Sequence, residues 1–262
     1  MKRIVVAAAL AGLVVMSMPA TAITYGQPDG NLHPNVGAMI RLRSDGVYRI
    51  LCSGSLISPT VFLTASHCTD FLLRQGITDV WVTFDSQFTQ RSKLIHGTMH
   101  QNPLYNQRQS DSGDIAVITL DRAVNGLEPV RLPTTGLLDE MKAAGTLNRQ
   151  LFTSVGYGIR EPEPGPGGIT HDFPMERWYA AGEFDALNAT WLRISQVQAT
   201  GDGGTCSGDS GGPQFLGAGS DETDTQVSIT ITGDVECFAT NVAYRLDTPS
   251  ARTFLAEFVT LP

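Results

Sequence analysis

Ser210 lies in the stretch Gly-Thr-Cys-Ser-Gly-Asp-Ser-Gly-Gly-Pro, from Gly204 to Pro213. The glycines at 204, 208, 211 and 212 permit positive φ and let another backbone come close, at an entropic cost that an ordinary loop has no reason to bear. A serine hydroxyl alone is a weak nucleophile. It needs a base to take its proton and donors to hold the oxyanion that develops. The chain supplies a histidine, His67, in Leu63-Thr-Ala-Ser-His-Cys68, and an acid, Asp114, in Asp114-Ile-Ala-Val117. Asp111 is a second aspartate in the same segment. Asp114 directly precedes the apolar run Ile115–Leu120, whose strand can anchor it, whereas Asp111 lies in a polar run and reads as a solvated turn residue. A surface serine in a flexible glycine loop is the competing reading. It leaves His67 and Asp114 without a role.

The motif around Ser210 and the chain order His, Asp, Ser resemble the chymotrypsin/trypsin-like serine peptidases, in particular secreted bacterial members; subtilisins and α/β-hydrolases use other orders. The resemblance runs from about Ile23 to the C-terminus. It implies an all-β fold of two antiparallel β-barrels, with the active site in the cleft between them and a short C-terminal helix. It further implies a serine endopeptidase acting on polypeptide substrates through His67, Asp114 and Ser210, with the N–H groups of Gly208 and Ser210 as the oxyanion hole. In such relatives a new amino group at the mature N-terminus, here Ile23, pairs with the acid before the nucleophile, here Asp209. The specificity pocket falls to Gly204, Thr205, Thr232, Gly233 and Val242. Gly204 stands where tryptic relatives carry an Asp, so small or medium apolar P1 residues are expected rather than Arg or Lys. The stretch Thr232–Cys237 departs from the family's Ser-Trp-Gly, and the positions of Asp234 and Glu236 stay open. A secreted protease-fold binding protein with little turnover is the alternative from another class, and an esterase is a weaker one.

The elements that must hold these groups are strand-like. Val36–Leu42, Tyr48–Ile57, Val61–Thr64, Val80–Phe84, Leu94–Met99 and Ile115–Leu120 are apolar, alternating or β-branched, as are Gln150–Val155, Trp191–Val197, Gln226–Thr232 and Asn241–Leu246. Gly156-Tyr-Gly158 resembles the family's Gly-Trp-Gly. Ala123–Thr135 reads as the linker between halves. This places the signal segment at 1–22, the N-terminal barrel at 23–133 and the C-terminal barrel with its helix at 134–262. Glu161–Gly168, rich in Pro and Gly, is expected to lack regular structure. His96 and His100 read as loop histidines with no carboxylate beside them. Asp247-Thr-Pro-Ser opens a terminal helix whose Phe254, Leu255, Phe258 and Val259 share one face.

The sequence has 262 residues, 42% of them hydrophobic and 17% charged, which suits a chain with a large core. Its formal charge is −8 and no basic patch is visible, so a nucleic-acid partner is not expected. Met1-Lys-Arg3, the apolar run Ile4–Val15 and Pro19-Ala-Thr-Ala22 have the form of a secretory signal, so the expected product is secreted, extracellular, monomeric and free of the membrane after cleavage. In an oxidising compartment four cysteines usually form two bridges, and three pairings are open. Cys52–Cys68 and Cys206–Cys237 are expected, because each staples one catalytic segment within its own half; the first is worth about 3 kcal/mol in the chain-entropy model. No metal and no cofactor are expected.

Overall fold

The computed structural model describes residues 23–165 and 167–262; the expected signal, residues 1–22, lies outside them. After a short strand β1 (Gln27–Pro28), the apolar runs form β2 (Val36–Leu42), β3 (Tyr48–Ser58), β4 (Val61–Thr64), β5 (Val80–Thr83), β6 (Ile95–Gln101) and β7 (Ala116–Leu120). A helix α1 (Ser66–Leu73) follows β4 directly. Strands β2 to β7 close into an antiparallel barrel in the order β2-β3-β4-β7-β6-β5. Closure removes the open edges that would otherwise template pairing with another chain.

The second half contains a helix α2 (Leu137–Ala143), then β8 (Leu151–Gly156), β9 (Pro162–Gly165), β10 (Gly168–His171), β11 (Trp178–Leu187), β12 (Trp191–Ser195), β13 (Pro213–Leu216), β14 (Gln226–Gly233), β15 (Thr240–Arg245) and a last helix α3 (Pro249–Leu255). Strands β11-β12-β15-β14-β13-β8 run in sequence and the β8–β11 pairing closes them into a second antiparallel barrel. The architecture is therefore all-β, with two barrels and few helices.

The two ends of the described chain each cross to the opposite half. Strand β1 pairs with β11, and Thr24 bridges to Gly204, so Ile23–Pro28 docks on the second barrel and not on the first, where the expected boundary had put it. Asp29 and Arg177, both fully buried, pair at 2.7 Å next to it. His33 Nδ1 meets Asp29 and Nε2 meets Glu222 at 2.6 Å. Burial opposes charge on His33, but hydrogen bonds to these two carboxylates prevail and push it up to about 9. Conversely, α3 lies against the first barrel: Phe258 just beyond it meets the ring of His100 in β6, and Arg252 donates to the Pro133 carbonyl. Thr248 Oγ1 accepts the Ala251 N–H and Pro249 fills the first turn, which explains where α3 starts.

Several sequence expectations are corrected. Residues Pro162–Gly165 and Gly168–His171 form a two-stranded ribbon despite their prolines. Pro162 and Pro164 are two apart, so their missing N–H groups fall on one edge of the strand, where no ladder bond is needed. His96 and His100 lie within β6, not in a loop, and His96 does have carboxylates beside it, Asp121 at 2.8 Å and Asp79 at 3.2 Å. Asp111 is half-buried and accepts the Tyr244 hydroxyl at 2.8 Å, so it joins the two halves instead of facing solvent.

Candidate active site

Strand β4 ends at Thr64 and α1 begins at once, so His67 sits in the first helical turn, where backbone N–H groups have no partner inside the helix. Asp114 supplies one. Its Oδ1 accepts the His67 N–H at 2.8 Å while its Oδ2 meets His67 Nδ1 at 2.9 Å. A carboxylate can only accept, so Nδ1 carries the ring proton and Nε2 is left as the basic nitrogen. Asp114 is buried. The segment bearing it is fixed from both sides: Ser66 Oγ donates to the Ile115 carbonyl at 2.6 Å, and Asn102 Nδ2 donates to the Gly113 carbonyl at 3.1 Å.

Ser210 arrives from the second barrel. Its carbonyl accepts the Ser53 N–H at 2.9 Å, and Gly211 packs so tightly on Thr64 and Ala65 that a Cβ there would lie 2.3 Å from Thr64 Oγ1. Gly211 also has φ of 81°, which glycine adopts without strain. The nucleophile segment is thus seated on the residues that lead into the His67 helix.

The backbone around Ser210 is pinned carbonyl by carbonyl. The Ser207 carbonyl accepts the Ile159 N–H and the Asp209 carbonyl accepts the Gly212 N–H, each at 2.8 Å. In a trans peptide the N–H points opposite to the C=O, so the Gly208 and Ser210 N–H groups turn away from those partners. Neither amide finds an acceptor among the described residues. Gly208 has φ of 101°, a conformation that other residues rarely reach.

Asp209 is fully buried between Gly156 and Gly158, where any Cβ would collide with its carboxylate. It accepts the Gly158 N–H at 2.7 Å and the Cys206 N–H at 2.9 Å. Burial pushes its carboxyl up to about 7, and these two bonds offset that only in part. Ile23 is also fully buried, but its neighbours are Trp178 and Ala180, and with Ala22 attached its nitrogen is an amide. The structure therefore does not bring a charged Ile23 nitrogen to Asp209.

Beside Ser210 a cavity of about 350 Å³ is lined by Thr205, Cys206, Ser207 and the stretch Thr230–Val235. Of the expected pocket residues, Thr205, Thr232 and Gly233 line it, while Gly204 and Val242 do not. Gly204 backs onto Gln196: a Cβ there would lie 2.3 Å from the Gln196 Oε1, which accepts the Thr205 N–H at 3.0 Å. Val242 is opposite Thr232 in the β14–β15 register. Asp234 lines the cavity, yet its carboxylate accepts the N–H groups of Phe238, Ala239 and Thr240 at 2.7–2.9 Å. Burial alone would raise it, but these backbone donors hold it below the usual carboxylate range. Disulfides join Cys52 to Cys68 and Cys206 to Cys237, one beside His67 and one bracketing the cavity. Gln196 and Ser53 escaped sequence reading, because nothing in the residues around either one marks it as buried beside the site.

The sequence profile described as Trypsin matches residues 29–165. The chain belongs to the trypsin family. Brachyurin from Leptuca pugilator is 34% identical over 177 residues, covering 62% of this chain and 69% of that protein. Serine protease grass from Drosophila melanogaster is 26% identical over 206 residues, 69% of this chain, which spans only 52% of that longer protein. Glucanase inhibitor protein 3 from Phytophthora infestans is 28% identical over 193 residues, 71% of this chain and 69% of that one. Among solved structures, neuropsin, a serine protease expressed in the limbic system of mouse brain, superposes with a TM-score of 0.64 at 19% identity, covering 90% of this chain and 99% of its own. HL collagenase gives 0.64 at 17% identity, covering 88% and 96%. Those two likenesses concern the fold. This trypsin-family chain is a serine endopeptidase, a hydrolase of polypeptides.

Proposed function

We propose that the enzyme is secreted and cleaves peptide bonds through an acyl-enzyme on Ser210. His67 Nε2 takes the hydroxyl proton and returns it to the leaving amine; Asp114 fixes the imidazole tautomer and stabilises the imidazolium. The Gly208 and Ser210 N–H groups hold the oxyanion. The observation that carries this reading is the two-point contact of Asp114 with His67, through Nδ1 and through the helix N–H, because it sets both tautomer and ring position. A fluorophosphonate probe tests it. Stoichiometric labelling of Ser210, lost in His67→Ala, is the expected result; an unlabelled wild-type serine would overturn it. That outcome would favour a protease-fold binding protein, a reading kept in view by the similarity to glucanase inhibitor protein 3.

Small or medium apolar P1 residues are the proposed preference. An entering Arg or Lys would be buried without a free carboxylate, since Asp234 is committed to its own loop backbone. Cleavage mapping on a peptide library decides this, and dominant cleavage after Arg would refute it. Signal removal after Ala22 is proposed to release the Ile23 amine for Asp209, so that no separate activating protease is needed. The mature protein would then comprise the N-terminal barrel to residue 133 and the C-terminal barrel from 134, acting as a monomer outside the cell.

A further inference from the structure

We infer that Ser53 is a positioning residue for the oxyanion hole, an inference that rests on the roles given above to Gly208 and Ser210. Ser53 is in β3, in the first barrel, and is fully buried. Two of its hydrogen bonds reach the nucleophile segment and the other two anchor it to Thr64 and Tyr157. Its N–H donates to the Ser210 carbonyl at 2.9 Å, and its carbonyl accepts Thr64 Oγ1 at 2.9 Å. Its Oγ accepts the Tyr157 N–H at 2.9 Å and donates to the Gly208 carbonyl at 3.0 Å.

The last bond is the informative one. Three consecutive peptide units carry the two oxyanion donors: the Ser207–Gly208 unit, the Gly208–Asp209 unit and the Asp209–Ser210 unit. The outer two are pinned by backbone donors, Ile159 N–H and Gly212 N–H. On the carbonyl side, the middle unit is held by a side chain, Ser53 Oγ. Gly208 is also the residue with the freest backbone in this stretch, at φ 101°. Rotation of the middle unit would tilt both flanking N–H groups out of convergence. A hydroxyl from the other barrel therefore sets the geometry of donors that lie in the second one. The Tyr157 N–H fixes that hydroxyl in turn, because its lone pair is occupied and its proton must point elsewhere.

The test compares wild type with Ser53→Ala and Ser53→Gly, using an apolar-P1 peptide anilide and expressing each rate per site labelled by a fluorophosphonate. Preorganised oxyanion donors act mainly on the transition state, so kcat per labelled site should fall about 10- to 100-fold with KM changed by no more than about twofold. A peptide boronic acid, whose serine adduct is tetrahedral and anionic, should lose affinity by the same factor. A purely structural role would lower the labelled fraction and the unfolding midpoint while leaving kcat per labelled site unchanged, and that result in either variant that folds would overturn the inference. A rise in KM with kcat unchanged would overturn it as well. The glycine variant guards against misfolding of the alanine one, because the neighbouring strand residue is already Gly54. An unlabelled wild-type enzyme would instead remove the underlying assignment, a failure distinct from that of labelled variants turning over at the wild-type rate.

Discussion

Asp114 and Asp209 are both buried carboxylates at the cleft, and each accepts two hydrogen bonds, but their partners differ in kind. Asp114 has one backbone N–H and one imidazole, a ring that can take on positive charge. Among the described residues Asp209 has two backbone N–H groups as its partners, and burial drives it up to about 7. Two amide dipoles do not compensate a fully desolvated carboxylate; a cation does. The first site is complete within the folded chain, whereas the second has no cation among the described residues, and in the function proposed above the freed Ile23 amine supplies it.

The largest effect should come from breaking the complete site. Asp114→Asn keeps the shape but presents a donor where His67 Nδ1 needs an acceptor, so kcat should drop by about 10⁴ with the fold intact, measured by steady-state kinetics and circular dichroism. Next comes the incomplete site. A form bearing one extra residue before Ile23 leaves Asp209 without its cation, and activity should fall about 10²- to 10³-fold if both oxyanion donors depend on that pairing. Equal activity of the extended and processed forms would erase the contrast between the two aspartates.

A third prediction sharpens the contrast through pH. In the extended form the folded Asp209 binds its proton more tightly than the unfolded chain does. Its contribution is fully present below about pH 4, and it is lost as pH rises through about 7, a change on the order of a few kcal/mol. In the processed form the Ile23 ammonium should pull Asp209 below its unfolded value, so that it is ionised in both states over the same range and the slope should vanish, with stability lost only on acidification below about pH 4. Denaturant unfolding of both forms between pH 4 and 8 reads the two slopes. The smallest effect concerns Asp111, the aspartate that is not catalytic. Tyr244→Phe removes its hydroxyl partner and should cost about 1 kcal/mol of stability while leaving kcat nearly unchanged, seen as a lowered Tm.

Strands and catalytic motifs were legible because they are local: strand periodicity, and short strings around His67, Asp114 and Ser210; closure into two barrels came only from the family resemblance those strings carry. What was missed depends on contacts between segments far apart in sequence. Asp111 looks solvated until Tyr244, from the last barrel strand, reaches it. His96 looks isolated until closure of the first barrel brings Asp79 and Asp121 to it. Helix α2 follows a segment read as linker, and its first turn is completed by Asp247 from the far end of the second barrel, which accepts the Leu138 N–H at 2.8 Å. Gly204, expected at the pocket base, does not line the cavity beside Ser210. Gln196 fills the space behind Gly204, and only the fold places it there.

The crossing of the chain ends sets an order of assembly. Synthesis proceeds from the N-terminus, and the first barrel is made before the second, yet the contacts that α3 and Phe258 make with it come from residues translated after the whole second barrel. The Ile23–Pro28 segment, made early, has no docking surface until β11 and Gly204 exist. Neither barrel can complete its packing before nearly the whole chain is available. A chain truncated within the second barrel or before α3 is then expected to be inert as a protease even though His67 and Asp114 are already made.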